Sequence, residues 1–392
     1  MTSLRRVALL VETSRSYGRG VLRGIARYHG EQKQWLTYFQ PHGLGDPPPA
    51  WLKHWDGHGV IARVDNQRTA AVLRGLRVPV INLRSSVSNL PFPFLGTDNQ
   101  AVAELAANHL LEQGFRHFGF FELQRKPYPG FATRAHWFSQ CVARAGYTCH
   151  IFQPKMPAAQ GRGLSHQRQL QRWIKQLPKP VGIMAGNDDH GMQVLETCRQ
   201  LKIEVPNQVA VIGVDNDEHL CNLSIPPLTS VELDCERIGY EAAVLLDSLM
   251  ARRPAPTQIE MIKPRGIVRR TSTDVLAVED DDVRRAITYI RGHACQGIRV
   301  SDVFRRVGVS RPALEAKLRA IFRRTIHQEI QRVQVERAME LLRDTRLPIK
   351  QIAHEAGFTT VQYMTRLFGK AAGETPARYR TRIRVEASGR DL

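Results

Sequence analysis

Two stretches, VSDVFRRVGVSRPALEAKLRAIF (300–322) and IKQIAHEAGFTTVQYMTRLFGKA (349–371), follow one pattern. Each holds a short helix with apolar spacing, a turn carrying a glycine (Gly308, Gly357), and a second helix opened by Ser310 or by Thr359/Thr360. Ser and Thr cap the free amides of a helix's first turn, and glycine lets the chain take positive φ at a corner. Apolar positions Val303, Val307, Val309, Leu314 and Leu318 recur as Ile352, Ala356, Phe358, Val361 or Met364, and Phe368. The spacing predicts two helix-turn-helix units. Between them, IHQEIQRVQVERAMELLRDT keeps apolar residues at Ile330, Val333 or Val335, Ala338, Leu341 and Leu342, which predicts one connecting helix.

Charge separates this pattern from a plain helical bundle. The chain of 392 residues carries a net +19, a field that suits a polyanion, either nucleic acid or an anionic membrane. Residues 281–392 hold +11 of it and are about three times as basic per residue as the rest. Duplication, caps and charge together point to double-stranded DNA as a partner.

The first 270 residues read differently. Apolar runs at Val7–Val11, Gly59–Ala62, Val78–Asn82, Phe118–Phe121, Gly182–Ala185 and Val209–Val214 alternate with helical spacing. The helices fall at Gly18–Tyr28, Gln100–Glu112, Ala132–Ala145 and His190–Leu201, with Val209–Val214 closing the series. This is the pattern of βαβ units and parallel sheets, which bind ligands at the carboxyl ends of their strands. That rule selects Asp65 after Val60–Val64, Asp98 after Phe94–Thr97, Asn187 and Asp188 after Gly182–Gly186, and Asp215 after Val209–Val214. Arg134 lies early in the helix after Phe118–Phe121. Carboxylates accept two donors and a guanidinium donates bidentately, a set suited to adjacent sugar hydroxyls. Tyr17, Trp137 or Phe138 is available to cover a sugar ring. Taken singly, Asp and Asn after strands also serve as helix caps.

Other functions find little support. Gly18, Gly20 and Gly24 resemble a dinucleotide fingerprint, but Thr13–Tyr17 separates them from the strand and no acidic residue ends a second strand. No G-x-S-x-G or H-E-x-x-H occurs, His54 and His58 lack metal partners, and no catalytic constellation, metal site or cofactor is expected. The six cysteines contain no C-x-x-C pair, which fits reduced cytosol. The opening run VALLV is too short for a signal-peptide core, and no stretch approaches a membrane span, so a cytoplasmic protein is expected. A transport solute-binding protein and a sugar-acting enzyme are the remaining alternatives. Pro254, Pro256 and Pro264 end the βα pattern, and the acidic run Glu279–Asp282 is either a solvated linker or a cap for a helix near Val283. The expected domains are therefore 1–275, a linker at 276–283, and 284–392.

Residues also carry a family resemblance. RRVALLVETSRSYGRGVLRGIARY, GTDNQAVAELAANHLLEQGFRHFGFF, ATRAHWF, GIMAGNDDHGMQVLETC and VAVIGVDNDEHLCNLSIPPLTSVELD resemble the LacI/GalR-type effector domain, over residues 5 to about 270. That implies a type I periplasmic-binding-protein fold with two α/β lobes around a cleft, and effector contacts at Asp98, Arg134, Asn187 and Asp215. Such regulators begin with a DNA-binding headpiece, and this sequence begins on the first strand instead.

The last 110 residues, including ETPARYR, resemble the AraC/XylS DNA-binding domain. By that resemblance two recognition helices enter successive major-groove turns, about 34 Å apart. Family contact positions fall on Pro312, Glu315 and Ala316, then on Val361, Gln362 and Arg366. Gln suits adenine and Arg suits guanine. The first helix reads through Glu315, Arg311 and Lys317 or by apolar contact, while Arg319, Arg323, Arg324 and Lys370 suit phosphate.

An effector domain ahead of an AraC-type domain, with YIRGHACQGIRV (289–300), RRTSTD (269–274), GVIARVDNQ and Tyr17, is similar to bacterial regulators of xylose operons. This implies a D-xylose-responsive activator that is homodimeric and works with RNA polymerase. A few cleft changes switch pentose to hexose, so another sugar or small metabolite remains the alternative effector.

Overall fold

The computed structural model describes residues 4–32, 35–84, 86–122, 129–153, 162–253, 259–278 and 280–387. Pro254, Pro256 and Glu279, read above as boundary marks, lie outside the described residues. The chain divides into two compact units, Met1–Val275 and Leu276–Leu392.

In the first unit, β1 (Arg5–Leu10), β2 (Trp35–Phe39), β3 (Gly59–Ala62) and β4 (Val80–Asn82) form a parallel sheet ordered β2-β1-β3-β4. A second sheet takes β5 (His117–Phe121), β6 (Cys149–Ile151), β7 (Val181–Ala185), β8 (Val209–Val214), β9 (Thr229–Glu232) and β10 (Gly266–Val268). Its order is β10-β9-β8-β7-β5-β6, and only β10 runs antiparallel to its neighbour. The central strands β3, β7 and β8 are buried throughout, which is why they read as unbroken apolar runs.

The helices of this unit are α1 (Ser16–Gln32), α2 (Gln67–Arg74), α3 (Asn99–Glu112), α4 (Pro129–Arg144), α5 (Arg162–Gln176), α6 (Asp188–Gln200), α7 (Glu218–Leu223) and α8 (Cys235–Met250). The chain passes between lobes at 94–98, again between β9 and α8, and back before β10. Phe94–Thr97 is therefore not the strand its apolar content suggests. It makes two isolated bridges, Asn82 to Phe94 and Thr97 to Ile262, as it crosses. Nor does Val209–Val214 close the series, because β9, α8 and β10 follow it.

The glycines of α1 have a packing role. A Cβ on Gly24 would stand 1.9 Å from the Glu236 carbonyl oxygen, and one on Gly239 would stand 2.0 Å from that of Val21. Helices α1 and α8 touch backbone to backbone, which only glycine permits.

The second unit contains, among the described residues, α9 (Asp281–His293), α10 (Val300–Val307), α11 (Arg311–Phe322), α12 (Ile326–Asp344), α13 (Ile349–Glu355), α14 (Val361–Ala372) and α15 (Pro376–Ala387). The acidic run caps a helix: Asp280 accepts from the amides of Asp282 and Val283, so α9 starts inside the span read as linker. One core gathers Val283, Ile287, Val303, Leu314 and Leu318 with Ile326 and Ile330 of α12. A second gathers Ile352, Phe358, Met364 and Phe368 with Val335, Ala338 and Leu342 of α12. Helix α12 thus serves both. Between the two cores, buried Gln334 donates to the carbonyls of Ala294 (3.0 Å) and Gly357 (2.8 Å).

Candidate effector cavity and DNA-reading helices

A cavity of about 350 Å³ opens between the two lobes of the first unit. Arg15, Tyr17, Arg63 and Arg84 line it from the first lobe, and Phe131, Arg134, Asn187, Asp189, His190 and Asp215 from the second. Of the six polar residues selected from sequence, Arg134, Asn187 and Asp215 meet there, together with Tyr17 from the three aromatic candidates. Asn187 and Asp215 arrive because they follow β7 and β8 at their carboxyl ends.

The other three polar residues lie outside the lining. Asp65 accepts from the Gly45 amide (2.5 Å) and the Asn66 side chain (2.6 Å). Asp98 caps α3 through the Ala101 amide (3.0 Å). Asp188 is 1% exposed and accepts from Ser230 Oγ (2.6 Å) and the Asp217 amide (2.8 Å). Burial, and then the charge of Asp215, push the Asp188 carboxyl well above the usual carboxylate range. Burial also raises Asp215, while Arg134, Arg15 and Arg63 draw it back down.

Arg134 is held by groups of the protein itself. Its Nε donates to Asn99 Oδ1 (2.8 Å) and its Nη1 to the Gly186 carbonyl (2.5 Å). Arg63 forms a buried ion pair with Glu12 and lies 4.3 Å over the Tyr17 ring. Two further ion pairs join the lobes: Arg15 with Asp189, and Arg19 with Asp217 at 3.7 Å. Phe138 does not face the cavity, since it is fully buried against Phe118 and Phe120. Trp137 packs on His136 and under Arg144, and Phe131 supplies the aromatic wall instead. Arg63 stands directly after β3, a position that marks it in the sequence, but a cation there falls outside the pattern of carboxylates and amides that suits sugar hydroxyls.

In the second unit Arg311, Pro312 and Ala316 of α11 are exposed, as are Gln362 and Arg366 of α14, with Val361 half-buried. Arg366 lies 5.2 Å over the Tyr363 ring. Two of the residues named for base reading are held in ion pairs within the unit. Lys317 is bound to Asp280 (3.0 Å) and Asp282 (2.5 Å), tying α11 to the start of α9. Glu315 is drawn between Arg311 (3.9 Å) and Arg319 (3.7 Å) along its own helix. Arg324 pairs at 3.3 Å with the buried Glu329. Thr360 caps α14 through the Tyr363 amide, whereas Ser310 occupies the cap position of α11 without a side-chain bond.

Three family models match in series. They are an XylR N-terminal domain over residues 6–100, a periplasmic binding protein-like domain over 107–273, and a helix-turn-helix domain over 303–382. The xylose operon regulatory protein of Escherichia coli (strain K12) is 34% identical over 385 residues, 97% of each chain. That of Haemophilus influenzae is 31% identical over 96% of this chain and 98% of its own. Among solved structures, a xylose-binding transcription activator XylR matches 97% of this chain and 98% of its own, at 32% identity and a TM-score of 0.63. A LacI family regulator from Enterococcus faecium with bound ribose shares the fold over 70% of this chain and 100% of its own, at 17% identity and a TM-score of 0.55.

Proposed function

The chain belongs to the family of xylose operon regulatory proteins, and on that premise we propose that its effector is D-xylose and that it activates sugar-catabolism genes. It is a transcription regulator with a helix-turn-helix domain. Residues 1–275 receive the sugar and 284–392 read DNA, with 276–283, in which α9 already begins, joining them. Two copies act together, in the cytoplasm, and engage RNA polymerase at the operator.

One observation carries the reading: Asp215, Asn187 and Arg134 converge on a cavity of about 350 Å³ at strand ends, opposite Tyr17. That volume lies within the range of small-molecule sites. A carboxylate, an amide and a guanidinium offer both donors and acceptors to vicinal hydroxyls. Gln362 and Arg366, exposed on α14, supply the base-edge contacts.

The test is thermal unfolding of the full chain against pentoses, hexoses and purines, with Asp215→Ala beside it. A ligand at 100 times its dissociation constant stabilises by about 2.7 kcal/mol. D-xylose alone should do so, and Asp215→Ala should abolish the effect while still binding operator DNA. A shift with another ligand only would reassign the effector, and an undiminished shift in Asp215→Ala would remove the site.

A further inference from the structure

Arg270 stands five residues before the first unit ends at Val275. Its guanidinium donates to three separate places. Nε reaches Asn222 Oδ1 (2.9 Å), Nη1 the Leu228 carbonyl (3.0 Å) and Nη2 Asn216 Oδ1 (2.9 Å). Its backbone is held as firmly: the Arg270 amide donates to Thr229 Oγ1, which donates back to the Arg270 carbonyl, both at 2.8 Å. The segment that follows is anchored by Ser272, whose hydroxyl donates to the Val211 carbonyl of β8 (2.7 Å).

Two of the three acceptors, Asn216 and Asn222, bracket one short stretch. That stretch follows Asp215, which lines the cavity, and it contains Asp217, whose carboxylate pairs with Arg19 of the other lobe. Asp215 and Asn216 both hold positive φ, 111° and 49°. Residues outside glycine keep such angles only where surrounding contacts over-determine them. Arg270 is one of those contacts. The turn is thus gripped from one side by the charges around the cavity and from the other by the side chain at the unit's exit.

We propose that the Asn216–Arg270 hydrogen bond is the link through which occupancy of the cavity sets the pose of residues 270–275. Arg270 is then a positioning residue for the effector response, without contact to the sugar. The inference rests on the reading that the effector binds at Asp215. A staple that only secured the chain end would be met by Asn222 and Leu228. The third donor instead goes to the residue beside the effector-facing carboxylate.

The experiment uses the full chain. Operator affinity is measured by fluorescence anisotropy with and without D-xylose, and xylose affinity by calorimetry, for Arg270→Met, Asn216→Gly and Asn216→Asp. Glycine tolerates the positive φ while removing the acceptor, and aspartate keeps an acceptor in place. In Arg270→Met and Asn216→Gly, xylose should bind within about threefold of the parent. Coupled sites shift one another's affinity by ~5–150-fold. In both variants the factor by which xylose changes operator affinity should collapse towards one, whereas Asn216→Asp should keep it. A parent-like factor in Asn216→Gly overturns the link, and so does a loss of xylose affinity that accounts for the loss of response. A parent protein whose operator affinity ignores xylose overturns the proposed function itself, and this inference with it.

Discussion

At the scale of single residues, the buried pair Arg63–Glu12 separates charge from packing. Their side chains are 6% and 1% exposed. Removing one partner of such a pair strands the other charge and costs about 3–5 kcal/mol, whereas replacing both with apolar groups is often neutral. Arg63→Met should therefore lower the urea midpoint far more than Glu12→Leu/Arg63→Met. Equal midpoints for the single and double variants would mean that Glu12 is solvated after all. The same residues show how far sequence reached. Asp215 and Asn187 were legible because position after a strand is a local property. Asp65 obeys the same rule yet serves as a loop anchor, since the rule locates an edge and not a direction, while Asp98 follows a crossing segment that is no strand and caps α3. Arg84, like Arg63, stands just past the carboxyl end of a strand, whereas Arg15 and Phe131 join the lining only through pairing of distant segments, and no local signal marks them.

At the scale of elements, the two helix-turn-helix units look alike in sequence and differ in tolerance. Gly308 and Gly357 both sit at positive φ, 83° and 78°. A Cβ on Gly308 meets nothing within 4 Å, but one on Gly357 would stand 2.6 Å from the Cys295 Cα. Gly308→Ala should cost only the left-handed penalty of about 1–2 kcal/mol. Gly357→Ala should cost that and, in addition, the displacement of the Ala294–Gln296 turn. Chemical denaturation of both variants decides it, and equal losses would show that this turn yields freely. Helical periodicity made α10, α11, α13 and α14 readable, because each buries one face over about two turns or more. It could not choose between Val361 and Met364, and packing chose Met364 for the core. The edge strands escaped: β2 is exposed beyond Trp35 and so shows no alternation of buried and exposed residues, and β6 has only three residues.

At the scale of the molecule, alternating strands and helices announced parallel sheets, but not how the chain is shared between them. Helix α8 lies with the first lobe although β9 before it and β10 after it belong to the second. Only long-range pairing fixes that, so the two-lobed form came from family resemblance and not from periodicity. The larger division, at residues 275 and 276, follows from separate cores. Units with separate cores need not unfold together, so scanning calorimetry of the full chain should resolve two transitions. D-xylose should raise only one of them, by an amount set by its free concentration over its dissociation constant. Operator DNA should raise only the other. Residues 281–392 carry +11, and a protein that neutralises 6–10 phosphates loses about 10³–10⁵ in DNA affinity between 50 and 200 mM salt. The operator-induced shift should therefore fade with added salt while the xylose-induced shift persists, because the sugar is uncharged and releases no counterions. A single transition raised by both ligands would instead mean that the units unfold as one body.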